Sequence, residues 1–243
     1  MTYCVGINVQ AGMVFASDSR TNAGVDSVSE YSKMYSYGRP GERQFIVCTS
    51  GNLATTQSVI GRVERDIRDE KETNLMTVGS VTEAADYIGA INVEQQSSNT
   101  GGGPAFEASF LVGGEIFGAK MRLYLVYPEG NYIETSSRTP FLQIGESKYG
   151  KPILDRVIMM DTPLEEASLC ALVSMESTIR SNLTVGPPVE LQIYTAGSLE
   201  PGQYTSFSAD SRYWRKLRKS WNAEVREAFR RLPPVDWTET ETR

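Results

Sequence analysis

The order of strand-like and helix-like segments restricts the fold of this 243-residue chain more than any other feature. Strand patterns come first and two helical patterns follow, and the same order is repeated before one last clear strand. Pairs of helices between blocks of strands differ from the regular alternation of βαβ units. They indicate an α+β fold in which two antiparallel sheets pack together and helices cover the outside.

Local patterns predict the bounds of these segments. The predicted strands are residues 3–9, 13–17, 43–49, 107–113, 116–119, 121–127, 132–135, 141–144 and 189–195. Two helical faces are predicted from Val59, Ile60, Val63 and Ile67 and from Ala84, Ala85, Tyr87, Ile88 and Ile91. Further helices are predicted at residues 147–160 and 163–179, the second with Thr162 as N-cap and Glu165 completing a capping box. Residues 95–104 are polar and rich in glycine, which predicts a loop.

The C-terminal segment differs in charge from the rest of the chain. Residues 208–232 place apolar side chains at helical spacing, and residues 212–231 carry eight basic residues against two glutamates in a chain of net charge −6. We expect a main domain over residues 1–200 and a basic amphipathic helix with its tail over residues 201–243. The helix is expected to pack on the same domain or on a neighbouring subunit, with RNA or membrane binding as further alternatives.

Composition excludes several classes of function. The acidic balance of the whole chain argues against a nucleic-acid-binding protein. No segment is apolar enough to span a membrane and the N-terminus does not read as a secretory signal, so we expect a cytoplasmic protein. The sequence contains no histidine, which removes Ser-His-Asp and Cys-His catalysis and the HExxH zinc motif. The three cysteines have no metal-binding spacing, and we expect no metal and no cofactor.

Thr2 offers a route to catalysis without histidine. Once Met1 is removed, the hydroxyl and a free α-amine lie on one residue, so the amine can take the hydroxyl proton directly or through one water. An α-amine has an ordinary pKa of about 7.7–8.0, which suits a general base near neutral pH. Many cytosolic chains begin with Met-Thr, so other residues must support this interpretation.

Two charged residues supply that support. Asp18 ends the second predicted strand within an Asp-Ser-Arg motif, and Lys33 follows fifteen residues later. In this register the chain resembles the proteasome β-subunit family of N-terminal-nucleophile hydrolases, whose members begin with a catalytic threonine. The resemblance implies that Lys33 lowers the pKa of the Thr2 hydroxyl and that Asp18 holds Lys33 in place.

The resemblance extends to the substrate-binding segments. Gly51, in a Ser-Gly-Asn turn after the third predicted strand, matches the glycine whose N–H donates to the oxyanion. Leu53 follows among the residues that line the pocket for the substrate side chain. Asn22 stands where the family usually has a threonine in the substrate-binding stretch. An ordinary strand-to-helix turn at Gly51 is the alternative.

Later segments match the family less well. Ser147 resembles the serine that helps set the N-terminal amine, and an N-cap role would explain it equally well. Ser181 and Thr184 stand where the family usually has aspartate and serine, so a carboxylate expected near the amine must come from elsewhere. Glu146 is one candidate for that carboxylate.

The resemblance covers residues 2–198 and is strongest to the bacterial Anbu branch, sister to the HslV peptidase. It implies a four-layer αββα sandwich that assembles with its own copies in a ring or open spiral. It also implies a threonine peptidase that hydrolyses peptide or protein substrates. A catalytically silent scaffold subunit and a small-molecule amidase remain open as alternatives. The sequence has no nucleotide-binding motif, so an ATP-dependent unfoldase partner would be a separate protein.

Overall fold

The first hairpin of the chain is buried on both faces. In the computed structural model, which describes residues 2–23, 27–98 and 104–236, β1 (Tyr3–Val9) and β2 (Gly12–Asp18) consist almost entirely of buried residues. A strand that buries both faces needs a covering layer on each side. The hairpin therefore lies inside the molecule, and the remaining elements are arranged around it.

Ten further strands and five α-helices complete the described part of the chain. The strands are β3 (Arg20–Ala23), β4 (Ser27–Glu30), β5 (Met34–Arg39), β6 (Arg43–Gly51), β7 (Ala108–Ile116), β8 (Arg122–Val126), β9 (Tyr132–Glu134), β10 (Phe141–Gly145), β11 (Val189–Thr195) and β12 (Gln203–Phe207). The helices are α1 (Leu53–Arg68), α2 (Val81–Ser98), α3 (Lys151–Val157), α4 (Leu164–Ser181) and α5 (Arg212–Arg230).

Two five-stranded antiparallel sheets form the centre of the fold. The first has the strand order β10-β1-β2-β11-β12, and the second has the order β5-β6-β7-β8-β9. The hairpin of β3 and β4 links β2 in the first sheet to β5 in the second. Because β1 pairs with both β10 and β2, the chain enters the first sheet in its interior and not at an edge.

The alternation of side chains along the strands creates three apolar layers. Phe15, Ile46 and Leu111 belong to the layer between the two sheets. The outer face of the first sheet packs against α3, α4 and the start of α5, and the outer face of the second packs against α1 and α2. The result is a four-layer αββα sandwich, which confirms the predicted fold class.

Several segment boundaries differ from the prediction. The sequence pattern misses β3, β4, β5 and β12, which are short or mainly polar, and β12 is largely exposed. The strand predicted at residues 116–119 is wrong, because β7 itself continues to Ile116 and the chain then turns. The helix predicted from residue 147 begins only at Lys151, after a turn that ends in the N-cap Gly150.

The predicted capping box before α4 is wrong. Pro163 is the N-cap of this helix and offers no side-chain cap. The Thr162 hydroxyl instead accepts a hydrogen bond from the Met159 N–H at 2.8 Å and so stabilises the preceding turn. The loop predicted at residues 95–104 is helical as far as Ser98, where α2 ends, and residues 99–103 lie outside the described part.

The first turns of the C-terminal helix α5 pack on the layer that α3 and α4 form. Ser211 caps α5 by accepting a hydrogen bond from the Trp214 N–H at 3.2 Å, and the Trp214 side chain is fully buried. Leu217 is partly buried on the same core. Val225 and Phe229, further along the helix, are exposed. Within the described residues, the apolar stripe of this helix is therefore covered only over its first turns.

A carboxyl group is buried where α5 contacts α4. Glu176 is 1% exposed, and its Oε1 atom has no hydrogen-bond partner among the described residues. The Nε atom of Arg218 lies 3.9 Å from this oxygen. Burial raises the pKa of Glu176, and the positive charges of Arg218 and Arg180 oppose that shift. The folded protein therefore holds the proton of this carboxyl group more tightly than the unfolded chain does.

We expect Glu176→Gln to raise the free energy of unfolding at pH 8 by about 1 kcal/mol, because it removes an incompletely paired buried charge. The wild type loses stability as pH rises through the raised pKa of Glu176, whereas the glutamine variant does not. The difference between the two should therefore shrink as pH falls towards the ordinary glutamate pKa of about 4.3. Urea unfolding at several pH values measures it, with the exposed Glu224→Gln on α5 as control. A variant that is less stable than the wild type at every pH would contradict this assignment.

Candidate active site

Thr2 is anchored by the strand that pairs with the start of β1. Its carbonyl oxygen accepts a hydrogen bond from the Glu146 N–H at 2.7 Å. Gly145, at the end of β10, has φ +80°, and a Cβ atom there would lie 2.0 Å from the Thr2 carbonyl oxygen. Only glycine permits so close an approach of two backbones. The carbonyl end of Thr2 is thus fixed, and the half-buried residue lines a cleft.

Asp18 joins the N-terminal segment to Lys33. Its Oδ1 atom accepts hydrogen bonds from the Tyr3 N–H at 3.1 Å and from the Lys33 ammonium at 2.8 Å. Its Oδ2 atom accepts from the Gly186 N–H at 3.2 Å. Because one oxygen atom binds both the Thr2–Tyr3 peptide and Lys33, the ammonium group lies within two hydrogen-bond lengths of that peptide. The same ammonium donates to the Arg20 carbonyl at 2.6 Å.

The ion pair between Asp18 and Lys33 is buried. Asp18 is 0% exposed and Lys33 is 5% exposed. Burial raises the pKa of Asp18, while the Lys33 ammonium and the two backbone N–H groups act in the opposite direction. Removing either partner would leave an unpaired charge in the interior, which typically costs several kcal/mol. The pair is therefore a fixed, buried link between Lys33 and the peptide that follows Thr2.

One cleft of about 570 Å³ brings four of the predicted residues together. Thr2, Lys33, Gly51 and Leu53 all line it, at the place where the ends of both sheets meet. Arg20 and Glu107 contribute charge to the lining. The predicted nucleophile and the predicted oxyanion glycine therefore share one cleft.

Gly51 has a conformation that suits a close approach to a ligand. It ends β6 with φ +110°, and a Cβ atom there would lie 2.3 Å from the Glu107 carbonyl oxygen. The next residue, Asn52, caps α1 by accepting a hydrogen bond from the Thr55 N–H at 3.0 Å. The backbone at Gly51 is thus held between a strand end and a helix start, and Gly51 itself adds no side chain to the cleft.

Glu146 lies next to Thr2 and takes part in a second polar network. Its side chain is buried, and its Oε2 atom accepts a hydrogen bond from the Asn182 amide at 3.1 Å. The Asn182 Oδ1 atom in turn accepts from the Thr184 N–H at 3.0 Å and from the Thr184 hydroxyl at 2.6 Å. Ser181 is exposed at the end of α4. The sequence motifs thus missed Asn182. The side chain that contacts the Glu146 carboxylate is that of Asn182 and not that of Ser181.

Two predicted residues stand apart from the others. Ser147 is half-buried and does not belong to the described lining of the cleft, and its carbonyl accepts from the Lys151 N–H at 3.1 Å at the start of α3. The backbone of Asn22 belongs to β3, and its side chain lies outside the described part. Met1 also lies outside the described residues.

Two kinds of feature are absent from the described residues. No group of three or more histidine, cysteine, aspartate or glutamate side chains within ranges 2–23, 27–98 and 104–236 is arranged to hold a metal ion. In the same ranges, no helix is long and apolar enough to cross a membrane.

Comparisons with known proteins identify the family of the chain. Residues 2–193 match the family model for proteasome subunits. Anbu (ancestral beta-subunit) from Yersinia bercovieri has 45% sequence identity and a TM-score of 0.92, with 96% of this chain and 98% of that chain covered. The Anbu complex from Pseudomonas aeruginosa, a helical assembly, has 44% identity and a TM-score of 0.93, with 98% and 100% covered. A (Gly-1) mutant of Anbu from Hyphomicrobium sp. strain MC1 has 42% identity and a TM-score of 0.91, with 97% and 100% covered. A comparison with curated proteins gives no match.

The chain therefore belongs to the proteasome subunit family. Within that family it is similar to Anbu over almost its whole length. Both the family and the branch are those that the sequence motifs indicate.

We expect Gly51→Ala to lower the free energy of unfolding by roughly 2 kcal/mol or more, because alanine is strained at positive φ and its Cβ collides with a carbonyl oxygen. Gly61→Ala is the matched control. Gly61 lies within α1, and a Cβ atom added there would meet open space. Because glycine is unfavourable inside a helix, alanine there should stabilise the protein by about 0.5–1 kcal/mol. Urea unfolding of both variants measures the contrast. Equal effects of the two substitutions would contradict the assigned conformation of Gly51.

Proposed function

We propose that the chain is a threonine-type peptidase that hydrolyses peptide bonds with Thr2 as nucleophile, after Met1 has been removed. The observation that carries this proposal is the buried Asp18–Lys33 pair, bound to the Tyr3 N–H directly beside Thr2. A buried ion pair is costly to maintain, and its location next to the second residue favours a catalytic purpose. Membership of the proteasome subunit family supports an N-terminal-nucleophile hydrolase.

The proposed reaction has two stages. The Thr2 amine takes the proton of the Thr2 hydroxyl, and the oxygen attacks the carbonyl carbon of the scissile peptide bond. The Gly51 N–H stabilises the resulting oxyanion, and the positive charge of Lys33 favours the deprotonated hydroxyl. The amine then gives its proton to the leaving nitrogen, which leaves an ester on Thr2. Water, activated by the same amine, hydrolyses this ester and regenerates the enzyme.

Glu146 is the proposed substitute for the carboxylate that Ser181 does not supply. Its backbone N–H donates a hydrogen bond to the Thr2 carbonyl, so its side chain starts directly beside the residue that carries the nucleophile. Asn182 and Thr184 hold that carboxylate by a chain of hydrogen bonds. A negative charge near the terminal amine helps it to accept and carry a proton during the reaction. Ser147, at the same turn, is proposed to help orient the amine, and Leu53 and Asn22 to contact the substrate.

The assembly and setting of the protein are also proposals. The similar Anbu complex from Pseudomonas aeruginosa is a helical assembly. We propose that this chain likewise associates with its own copies in the cytoplasm, as a ring or an open spiral. A protein that unfolds substrates for it would be a separate partner.

A scaffold subunit without peptidase activity is the second candidate. The exposed apolar residues along α5 and the exposed Ser181 favour it, because both are consistent with an assembly role. A small-molecule amidase would use the same nucleophile on a smaller substrate. A single set of rate measurements distinguishes these three functions.

We expect the wild type to hydrolyse fluorogenic peptide amides and Thr2→Ala to lose at least about 10³-fold in kcat/KM, because the variant lacks the nucleophile. Thr2→Ser keeps a hydroxyl and an amine on one residue and should retain part of the activity. Substrates that range from single amino-acid amides to unfolded proteins identify the size that the cleft accepts. Equal rates for the wild type and Thr2→Ala would contradict the peptidase, and cleavage of only the smallest amides would favour the amidase.

A further inference from the structure

A second buried carboxylate, outside the set of residues discussed above, contacts the backbone of Lys33. Glu190 on β11 is 4% exposed. Five described groups donate hydrogen bonds to it. The Oε1 atom accepts from the hydroxyls of Ser32 at 2.8 Å and Tyr204 at 2.7 Å. The Oε2 atom accepts from the hydroxyls of Ser17 at 3.1 Å and Ser19 at 3.4 Å and from the N–H of Lys33 at 3.3 Å. Both oxygen atoms of the buried carboxyl group therefore have hydrogen-bond donors.

The position of Glu190 in the sheet explains why it reaches the second sheet. In the register of the first sheet it pairs with Ser17, whose β1 partner Cys4 belongs to the layer between the two sheets. Gln192 and Tyr194, at alternate positions of β11, are also buried, and Gln192 accepts a hydrogen bond from Ser36 on β5 at 2.7 Å. The inward face of β11 thus carries polar groups that tie β11 to the strand following Lys33.

The contacts of Glu190 fix the backbone that carries Lys33. Residues 31–33 connect β4 to β5 and belong to no strand. Oε1 binds the Ser32 hydroxyl and Oε2 binds the Lys33 N–H, while the Lys33 carbonyl accepts from the Thr49 N–H at 2.9 Å. The Lys33 side chain extends from this anchored backbone to Asp18. One carboxylate therefore holds the backbone of Lys33, and the other holds its ammonium group.

We propose that Glu190 is a positioning residue for Lys33, which anchors its backbone and supplies a second negative charge to the buried region around it. The catalytic consequence rests on the proposed function, whereas the effect on Lys33 itself does not. A purely structural tie between the two sheets would stabilise the fold without changing the environment of the Lys33 side chain. The two roles can therefore be separated by measurement.

Several other charged or titratable groups face this region. Asp18 on β2 and Arg20 on β3 contact Lys33, Tyr35 follows it on β5, and Tyr204 lies on β12. Cys4 on β1 and Cys48 on β6 lie in the layer between the sheets nearby. Burial, and then the negative charges of Glu64 and Glu190, raise the pKa of Tyr35, which lines the catalytic cleft. The charge of Glu190 thus acts on groups inside the cleft.

Glu190→Gln is a suitable test because the fold can accommodate it. A glutamine can turn its oxygen to the donors around Oε2 and its amide nitrogen to the hydroxyls of Ser32 and Tyr204. These hydroxyls can change from donor to acceptor by rotation. The substitution removes the charge and keeps the size and most of the hydrogen bonds. Gln192→Leu is the matched control, because it removes a buried polar contact to β5 and leaves the charge next to Lys33 unchanged.

We expect Glu190→Gln to lower kcat about 10-fold with KM nearly unchanged, because the buried region around Lys33 loses a negative charge that helps to hold its ammonium group in place. Gln192→Leu should leave kcat nearly unchanged. An unchanged kcat in Glu190→Gln, or the same loss in both variants, would overturn the proposal.

Nuclear magnetic resonance of protein labelled with 13C-lysine reports the environment of the Lys33 side chain without any substrate, and Lys33→Arg identifies its signal. At one pH, the chemical shift of that signal should differ between Glu190→Gln and the wild type and stay the same in Gln192→Leu, and an unchanged chemical shift in Glu190→Gln would overturn the proposal. If the wild type hydrolyses no amide, the proposed function fails and this comparison of chemical shifts still decides the role of Glu190. If Glu190→Gln does not fold, Ser32→Ala takes its place, with lower kcat at unchanged KM expected and unchanged kcat contradicting the proposal.

Discussion

The buried ion pair between Asp18 and Lys33 is the interaction on which the rest of the site depends. Transfer of two charges from water to the interior costs several kcal/mol for each ion, and the cost is offset only when hydrogen bonds satisfy both groups. Here the backbone supplies them, through the N–H groups of Tyr3 and Gly186 on the carboxylate and the Arg20 carbonyl on the ammonium. The pair therefore exists only if four separate segments of the chain, at residues 3, 18–20, 33 and 186, come together.

The αββα sandwich brings those segments together. The β1–β2 hairpin carries Thr2 at one end and Asp18 at the other, since antiparallel pairing returns the chain to its starting edge. The short β3–β4 hairpin then leads into the second sheet, and Lys33 lies at the crossing point between the two. The glycines at residues 51 and 145 permit the close backbone contacts that complete the cleft. The site is thus a product of the way in which the two sheets meet.

Much of this arrangement could be predicted from the sequence, for identifiable reasons. Apolar alternation in β1, β2 and β6 and the helical faces of α1 and α2 are strong local signals, and a family motif placed Asp18 and Lys33 beside Thr2. Asn182 and Glu190 could not be predicted in the same way. Glu190 lies in an alternating strand whose polar face would ordinarily be assigned to solvent, yet that face packs between two sheets. Asn182 acts through long-range contacts with Glu146 that no local pattern encodes.

The central claim is that Thr2 becomes a free N-terminal nucleophile, and the intact mass of the purified protein tests it most directly. The mass is measured before and after incubation with a peptide epoxyketone, which forms its stable adduct only with an amine and a hydroxyl on the same terminal residue. We predict the loss of Met1 and one adduct per chain, with no adduct on Thr2→Ala. A chain that keeps Met1, or that loses it and remains unlabelled, would contradict the claim and favour a scaffold subunit.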